Sequence, residues 1–192
     1  MSTTQPIRKT EDIEALKRYF LYEKPSLRNY ALLCLGINSA LRIGDLLSLT
    51  WADIYDFTHN RFLKHIPIIE QKTKKPSRAA LNPGAISALA LYINSLANVK
   101  GTDALFPGQG RKSPLSRSQA FRILNAAGQA LHLETEIGCH TLRKTFGYHA
   151  WKMGIQPALL MDIFNHSSFQ VTRQYLGIDQ DDIDQVFFQV IL

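Results

Sequence analysis

Apolar residues recur at helical spacing along most of the chain and at strand spacing only in its middle. A first helix is predicted from Thr10, with Glu11 and Asp12 in a first turn where the backbone dipole favours acids, and it stops near Pro25. Ser26 reads as the N-cap of a strongly apolar helix through Ala31, Leu32 and Leu35 that ends near Leu41, followed by a short helix over 43–49. The period then changes. Segments 52–57, 62–69 and 78–81 read as short strands separated by Thr58-His59-Asn60 and Lys74-Lys75-Pro76-Ser77, which predicts a small antiparallel sheet. Asn82-Pro83 opens another helix reaching about Ala97, with proline at its first position. A loop over 98–115 is rich in Gly, Pro, Lys and Arg. Ser116 with Gln119 then forms a capping box for a helix over 117–132. From His140 onward the pattern is helical in short pieces, interrupted at Gly154, Pro157 and Gly177. In the last segment Ile183, Val186, Phe187, Val190 and Ile191 share one helical face behind Asp179, Asp181, Asp182 and Asp184. The expectation is an α+β fold, mainly α with a small antiparallel β-sheet: a loose tail over 1–10, one domain over 11–178, and a C-terminal helix over 179–192.

The chain's 192 residues suffice for one hydrophobic core, and 45% apolar with 20% charged residues is the composition of an ordinary globular protein. The formal charge of +6 permits a polyanionic partner without identifying one. Cys34 and Cys139 are far apart and form no CxxC, so neither a disulfide framework nor a thiolate metal site is expected, and a reducing cytoplasm suits the chain. Residues 1–10 carry no apolar signal core, and the apolar run around 31–37 is too short to span a bilayer. No membrane partner is expected.

Four separated pieces carry candidate chemistry: Ala40-Leu41-Arg42-Ile43-Gly44-Asp45, Gln71-Lys72-Thr73-Lys74-Lys75, His140-Thr141-Leu142-Arg143-Lys144-Thr145, and Asn165-His166 with Tyr175 nine positions after the histidine. Each alone is ordinary: a surface arginine, a solvated lysine turn, a structural histidine, a half-buried tyrosine. Together and in this order they resemble the active site of the tyrosine recombinases, the phage integrase family, which uses Arg, Lys, His-x-x-Arg, His and Tyr. The resemblance covers nearly the whole chain. Where the family commonly has Leu-Gly before the second histidine, this chain has Phe164-Asn165, and asparagine tolerates a left-handed turn better than most residues. About 25 residues precede the first matching core helix, so no separate N-terminal DNA-clamping domain is expected. The pattern is similar to a minimal recombinase, as in the bacterial fimbrial phase-variation invertases, or to an excised catalytic domain.

The resemblance implies a site-specific DNA recombinase working through a 3′-phosphotyrosine, with neither metal nor nucleotide cofactor. Attack on a phosphodiester builds negative charge on its non-bridging oxygens, and guanidinium forks match that charge in shape as well as sign. Arg42 and Arg143 are assigned as that clamp, and Tyr175 as the nucleophile. His140, three residues before Arg143, is placed to accept or orient the tyrosine proton. His166 is placed to hydrogen-bond the scissile phosphate. Lys72 is placed to protonate the 5′-oxygen leaving group, with Lys74 and Lys75 as rivals. Lys72 is preferred because it precedes Thr73, as the family's lysine often does.

The implied partner is double-stranded DNA, contacted by Lys74, Lys75, Arg78, Arg117, Arg122 and Lys144, with Arg111 and Lys112 nearby. The start of the helix after Ser116 is a candidate for the major groove. The family's C-terminal helix often docks on a neighbouring protomer, which implies a homotetramer on DNA. Here the apolar stripe is equally able to fold back on its own core. An accessory DNA-bending protein and a nucleoid-associated location in the bacterial cytoplasm complete the expectation. Two other readings keep the same residues: a type IB topoisomerase-like enzyme that relaxes supercoils, and a DNA-binding regulator with an idle active site. A metal hydrolase finds no support, since His140 and His149 lack ligand spacing.

Overall fold

Helix α2 (Leu27–Ser39) is the axis of the computed structural model, which describes residues 4–69, 76–108, 113–138, 140–178 and 180–191. The Ser26 hydroxyl accepts the Asn29 amide and so starts the helix where the sequence places its cap. Residues 31–36 are all buried, so the helix has no solvent face and two layers of core form around it. On one side Leu33 packs with Ile13 and Leu16 of α1 (Thr10–Arg18) and Leu124 of α5 (Arg117–Ala130). On the other, Leu32 and Leu35 pack with Leu46 of α3 (Ile43–Ser48), Trp51, Ile54 and Leu89 of α4 (Pro83–Asn94). Helix α1 continues into a wider π-type turn over Tyr19–Glu23, which ends ahead of Pro25.

The strands form two separate ladders rather than one sheet. β1 (Tyr55–Asp56) pairs with β2 (Arg61–Phe62), and β3 (His65–Ile69) pairs with β4 (Pro76–Ala80) in the register His65↔Ala80 to Ile69↔Pro76. Segment 52–57 is a strand only at Tyr55–Asp56, because Thr50 and Asp53 form a capping box that winds Trp51–Asp53 into a 3-10 turn. Segment 62–69 breaks because Leu63 donates to the Ile54 carbonyl while Lys64 accepts from Leu81. Within β3 the alternation survives: Ile66 and Ile68 are buried and their neighbours exposed.

The C-terminal third is built from α6 (Thr141–Lys152), α7 (Pro157–Phe164), α8 (Phe169–Leu176) and α9 (Gln180–Gln189). Leu160, Phe164 and Leu176 form a small cluster with Ala40, just past the end of α2. Helix α2 stops at Ser39, short of Leu41, because Ala40 turns left-handed at φ 55°. Helices α4 and α5 also end two or three residues before the sequence pattern suggests.

The N-terminal stretch corrects another expectation. In place of a loose tail, residues 4–9 lie bound across α6. Ile7 is fully buried, its amide donates to Thr145 Oγ1 at 2.9 Å, and its carbonyl lies 3.0 Å from His149 Nε2. Arg8 donates to the Gly177 carbonyl at the end of α8 and stacks over the Tyr148 ring. At the other end of the chain, buried Asp182 of α9 pairs with Lys152 of α6 at 2.9 Å. Among the described residues no helix is long and apolar enough to cross a membrane.

Gly147 lets α6 approach α7 and α8 closely: a Cβ there would lie 2.5 Å from both Leu176 Cδ2 and Phe164 Cζ. Alanine in an open helix position is more stable than glycine by about 1 kcal/mol. Gly147→Ala is nevertheless expected to destabilise the protein by about 1–3 kcal/mol through overpacking. The urea midpoint measures this, and a variant as stable as the parent would refute the close approach.

Candidate active site

Arg143 sits in the first turn of α6 and is 6% exposed. A buried guanidinium needs partners, and two helix ends supply them. Its Nη1 donates to the Ala40 carbonyl at the left-handed end of α2, and its Nη2 donates to the Phe164 carbonyl at the end of α7, at 2.9 Å. Helix C-termini leave carbonyls unpaired and carry partial negative charge, so both bonds suit a cation. The Phe164 ring lies 4.8 Å from the guanidinium carbon. Asn165 follows at φ 50°, taking the left-handed turn that its side chain permits.

Tyr175 lies on α8, half-buried, and its phenol hydrogen-bonds Arg143 and lies 3.5 Å from His140 Nδ1. Burial raises the phenol above its ordinary range, and the charges of Arg143 and Arg42 pull it back down. His140 is the N-cap position of α6, one turn before Lys144. Desolvation lowers its pKa, and Lys144, Arg143, Arg42 and Arg117 lower it further. His166 is stacked on Phe164 at 5.4 Å and meets the Tyr175 ring edge-on at 5.0 Å. Desolvation, with Arg143 and Arg42 adding to it, lowers its pKa to about 4. At neutral pH the site therefore holds uncharged phenol and imidazole groups in a field of cations, an arrangement that favours an anion.

Arg42 is the N-cap residue of α3 and half-buried. With Arg143 and Arg78 it lines a cavity of about 620 Å³ whose far wall is the β3–β4 hairpin, through His65, Ile68 and Ala80. Arg143 thus borders the cavity and touches the tyrosine as well.

Of the residues singled out from sequence, Arg42, His140, Arg143, His166 and Tyr175 converge here. Lys72, Lys74, Lys75, Arg111, Lys112, Cys139 and Asp179 lie outside the described residues. The β3–β4 ladder forms the cavity wall. Arg78, Arg117 and Arg122 are exposed, and the charge of Arg117 reaches His140. Lys144 departs from its expected place on a DNA-facing surface. It is 5% exposed, its ammonium donates to the Thr4 carbonyl at 2.6 Å, and it lies 5.3 Å from the centre of the Tyr175 ring. The N-terminal segment supplies that carbonyl and closes over it, so the side chain points inward. Sequence reading missed Thr172, fully buried and 3.0 Å from His166 Nδ1, and the packing role of Phe164. Thr172 stands one helical turn before Tyr175, which was the available signal.

The fold is shared with solved recombinases. XerH site-specific recombinase, in a post-cleavage complex with palindromic difH substrate, superposes with a TM-score of 0.75 at 20% identity, covering 98% of this chain and 52% of that one. XerA recombinase gives 0.74 at 18%, covering 98% and 65%. The chain thus spans about half to two thirds of these structures. Residues 9–181 match the phage integrase family, and the chain belongs to it. It is 40% identical over 181 residues to the probable integrase/recombinase YoeC of Bacillus subtilis, covering 94% of this chain and 93% of that protein. It is 30% identical to the type 1 fimbriae regulatory protein FimE of Escherichia coli K12, covering 86% and 82%.

The lowered pKa of His166 makes stability depend on pH. An unfolded histidine takes up its proton near pH 6.5, while the folded His166 holds out to about 4. Between those values the unfolded chain binds more protons, so stability falls as pH falls through this window and is fully present above it. Urea midpoints are expected to drop from pH 7 to pH 5, less steeply in His166→Gln. An NMR titration that places His166 near the ordinary histidine value would contradict this.

Proposed function

We propose that this chain is a tyrosine-type site-specific recombinase that cuts and rejoins double-stranded DNA through Tyr175. What carries the reading is the meeting of the Tyr175 phenol with Arg143 and His140, beside a cavity that Arg42 lines. The phenol oxygen attacks the scissile phosphorus and a P–O bond forms. The bond to the 5′-oxygen breaks, and that oxygen leaves as a hydroxyl after protonation. Lys72 is the proposed donor, with Lys74 as the alternative.

The phenol proton passes to His140. With the phenol raised and the imidazole lowered, this transfer is uphill in the resting site, so the proton moves as the new bond forms rather than before. Arg42 and Arg143 hold the growing charge on the non-bridging oxygens, and His166 adds a neutral hydrogen bond. The 3′-phosphotyrosine keeps the energy of the broken bond. Religation is the reverse attack by a 5′-hydroxyl, and the cycle uses neither metal nor nucleotide cofactor. Arg78, Arg117 and Arg122 are proposed phosphate contacts on the surrounding face.

A nicked suicide substrate tests the core of this reading. Wild-type protein is expected to form a covalent adduct, and Tyr175→Phe to form none while binding the same DNA within about twofold, because the cationic phosphate contacts that carry the affinity stay in place. Exchange between two sites separates a recombinase from a supercoil-relaxing enzyme, and DNA binding without any adduct would indicate an idle-site regulator.

Helix α9 supports a homotetramer on DNA. Phe187, Phe188, Val190 and Ile191 are 59–89% exposed, so these side chains do not fold back onto the protein's own core. Burying such side chains between protomers contributes about 1.5–3 kcal/mol each. The double change Phe187→Asp, Phe188→Asp is expected to leave binding of one protomer to a half-site intact and to lose higher assemblies in sedimentation on a full site. Retained assembly would remove α9 as the link.

A further inference from the structure

We infer that Thr172 is a positioning residue that fixes the tautomer of His166, so that the ring nitrogen away from it carries the hydrogen and donates to the anion. The inference rests on the strand-exchange reading only for the anion's identity as a scissile phosphate.

At neutral pH the His166 ring is uncharged and carries one N–H. Which nitrogen carries it decides whether the ring helps or opposes an anion. Left to itself, an imidazole in the field of Arg42 and Arg143 favours turning a lone pair toward those cations. That tautomer would later face a phosphate oxygen lone pair to lone pair.

The surroundings of Thr172 oppose it. Its hydroxyl has two acceptors in range: His166 Nδ1 at 3.0 Å and the Ser168 carbonyl at 3.4 Å. The nitrogen is the nearer of the two and the carbonyl bond is long for a hydroxyl donor, so we assign the hydrogen to Nδ1. Thr172 is fully buried. An Nδ1 that accepts leaves the hydrogen on Nε2. The ring cannot readily flip to escape this choice, because Phe164 stacks on one face and the Tyr175 edge closes from another side. Thr172 and Tyr175 lie one turn apart on α8, so the helix that carries the nucleophile also sets the histidine beside it.

The experiment uses Thr172→Val, which keeps the branched shape and removes the hydroxyl, and Thr172→Ser, which restores it. In wild-type protein, nitrogen-15 spectra of His166 are expected to show a bare Nδ1 and a protonated Nε2. In Thr172→Val the two forms mix or invert, and adduct formation on the suicide substrate slows roughly tenfold, the worth of about one hydrogen bond in the transition state. DNA affinity stays unchanged, and Thr172→Ser recovers both spectrum and rate. A protonated Nδ1 in wild-type protein, or an unchanged tautomer in Thr172→Val, would overturn the inference. Absence of any adduct from wild-type protein would instead overturn the strand-exchange reading, while the spectra still decide what Thr172 does to His166.

Discussion

The buried guanidinium of Arg143 is the constraint from which the site's arrangement follows. It joins the left-handed end of α2 to the end of α7 through two backbone carbonyls and reaches the Tyr175 phenol as well. A buried charge without such partners costs several kcal/mol, so the two helix ends are held wherever this side chain is. Ala40 adopts a backbone conformation that favours glycine, a strain of about 1–3 kcal/mol that persists only where the surroundings impose it. Its carbonyl is one of the two that Arg143 binds, so the tie that orders the site also bears on this strain.

That tie produces the electrostatics around it. Arg42, Arg143, Lys144 and Arg117 all depress His140, and the two arginines depress His166. Burial acts in opposite directions on the two kinds of group: it raises the phenol and lowers the imidazoles, so both are neutral near pH 7. Cations around neutral groups leave one favourable occupant, an anion. The chemistry of the site thus comes from placing ordinary side chains at the ends of α2, α6 and α7, where one cation can be paired and the others gathered.

Much of this was legible in the sequence because it depends on local signals. Ser26, Asn82 and Ser116 cap the helices they announce, and Asn165 takes the left-handed turn where glycine is usual. The grouping of Arg42, His140, Arg143, His166 and Tyr175 was readable from motif order alone. Other features depend on partners distant in sequence. Segment 52–57 has a strand's composition, yet the Thr50–Asp53 capping box winds its first part into a turn. Ile7 lies in a polar stretch, and what makes it core is the cluster with Leu33, Leu124 and Leu142, all distant in sequence. Lys144 reads as a DNA contact until Thr4 is seen to accept its ammonium. Thr172 carries no motif; its meaning lies in the 3.0 Å to His166.

Helix α8 shows why these long-range contacts matter to the chemistry. With eight residues, Phe169–Leu176 is too short to be stable alone, so its position is imposed by what it touches. Ser168 caps its start, Thr172 and Leu176 anchor its buried face, and Arg8 binds the Gly177 carbonyl at its end. Arg8 belongs to the segment that covers Lys144 and threads Ile7 against Thr145, while Lys152, at the far end of α6, holds α9 through Asp182. Residues 4–8 and α9 are therefore both fastened to α6, the helix that carries Arg143. The geometry at Tyr175 follows from that shared platform, because a helix of two turns has little intrinsic stability with which to resist its anchors.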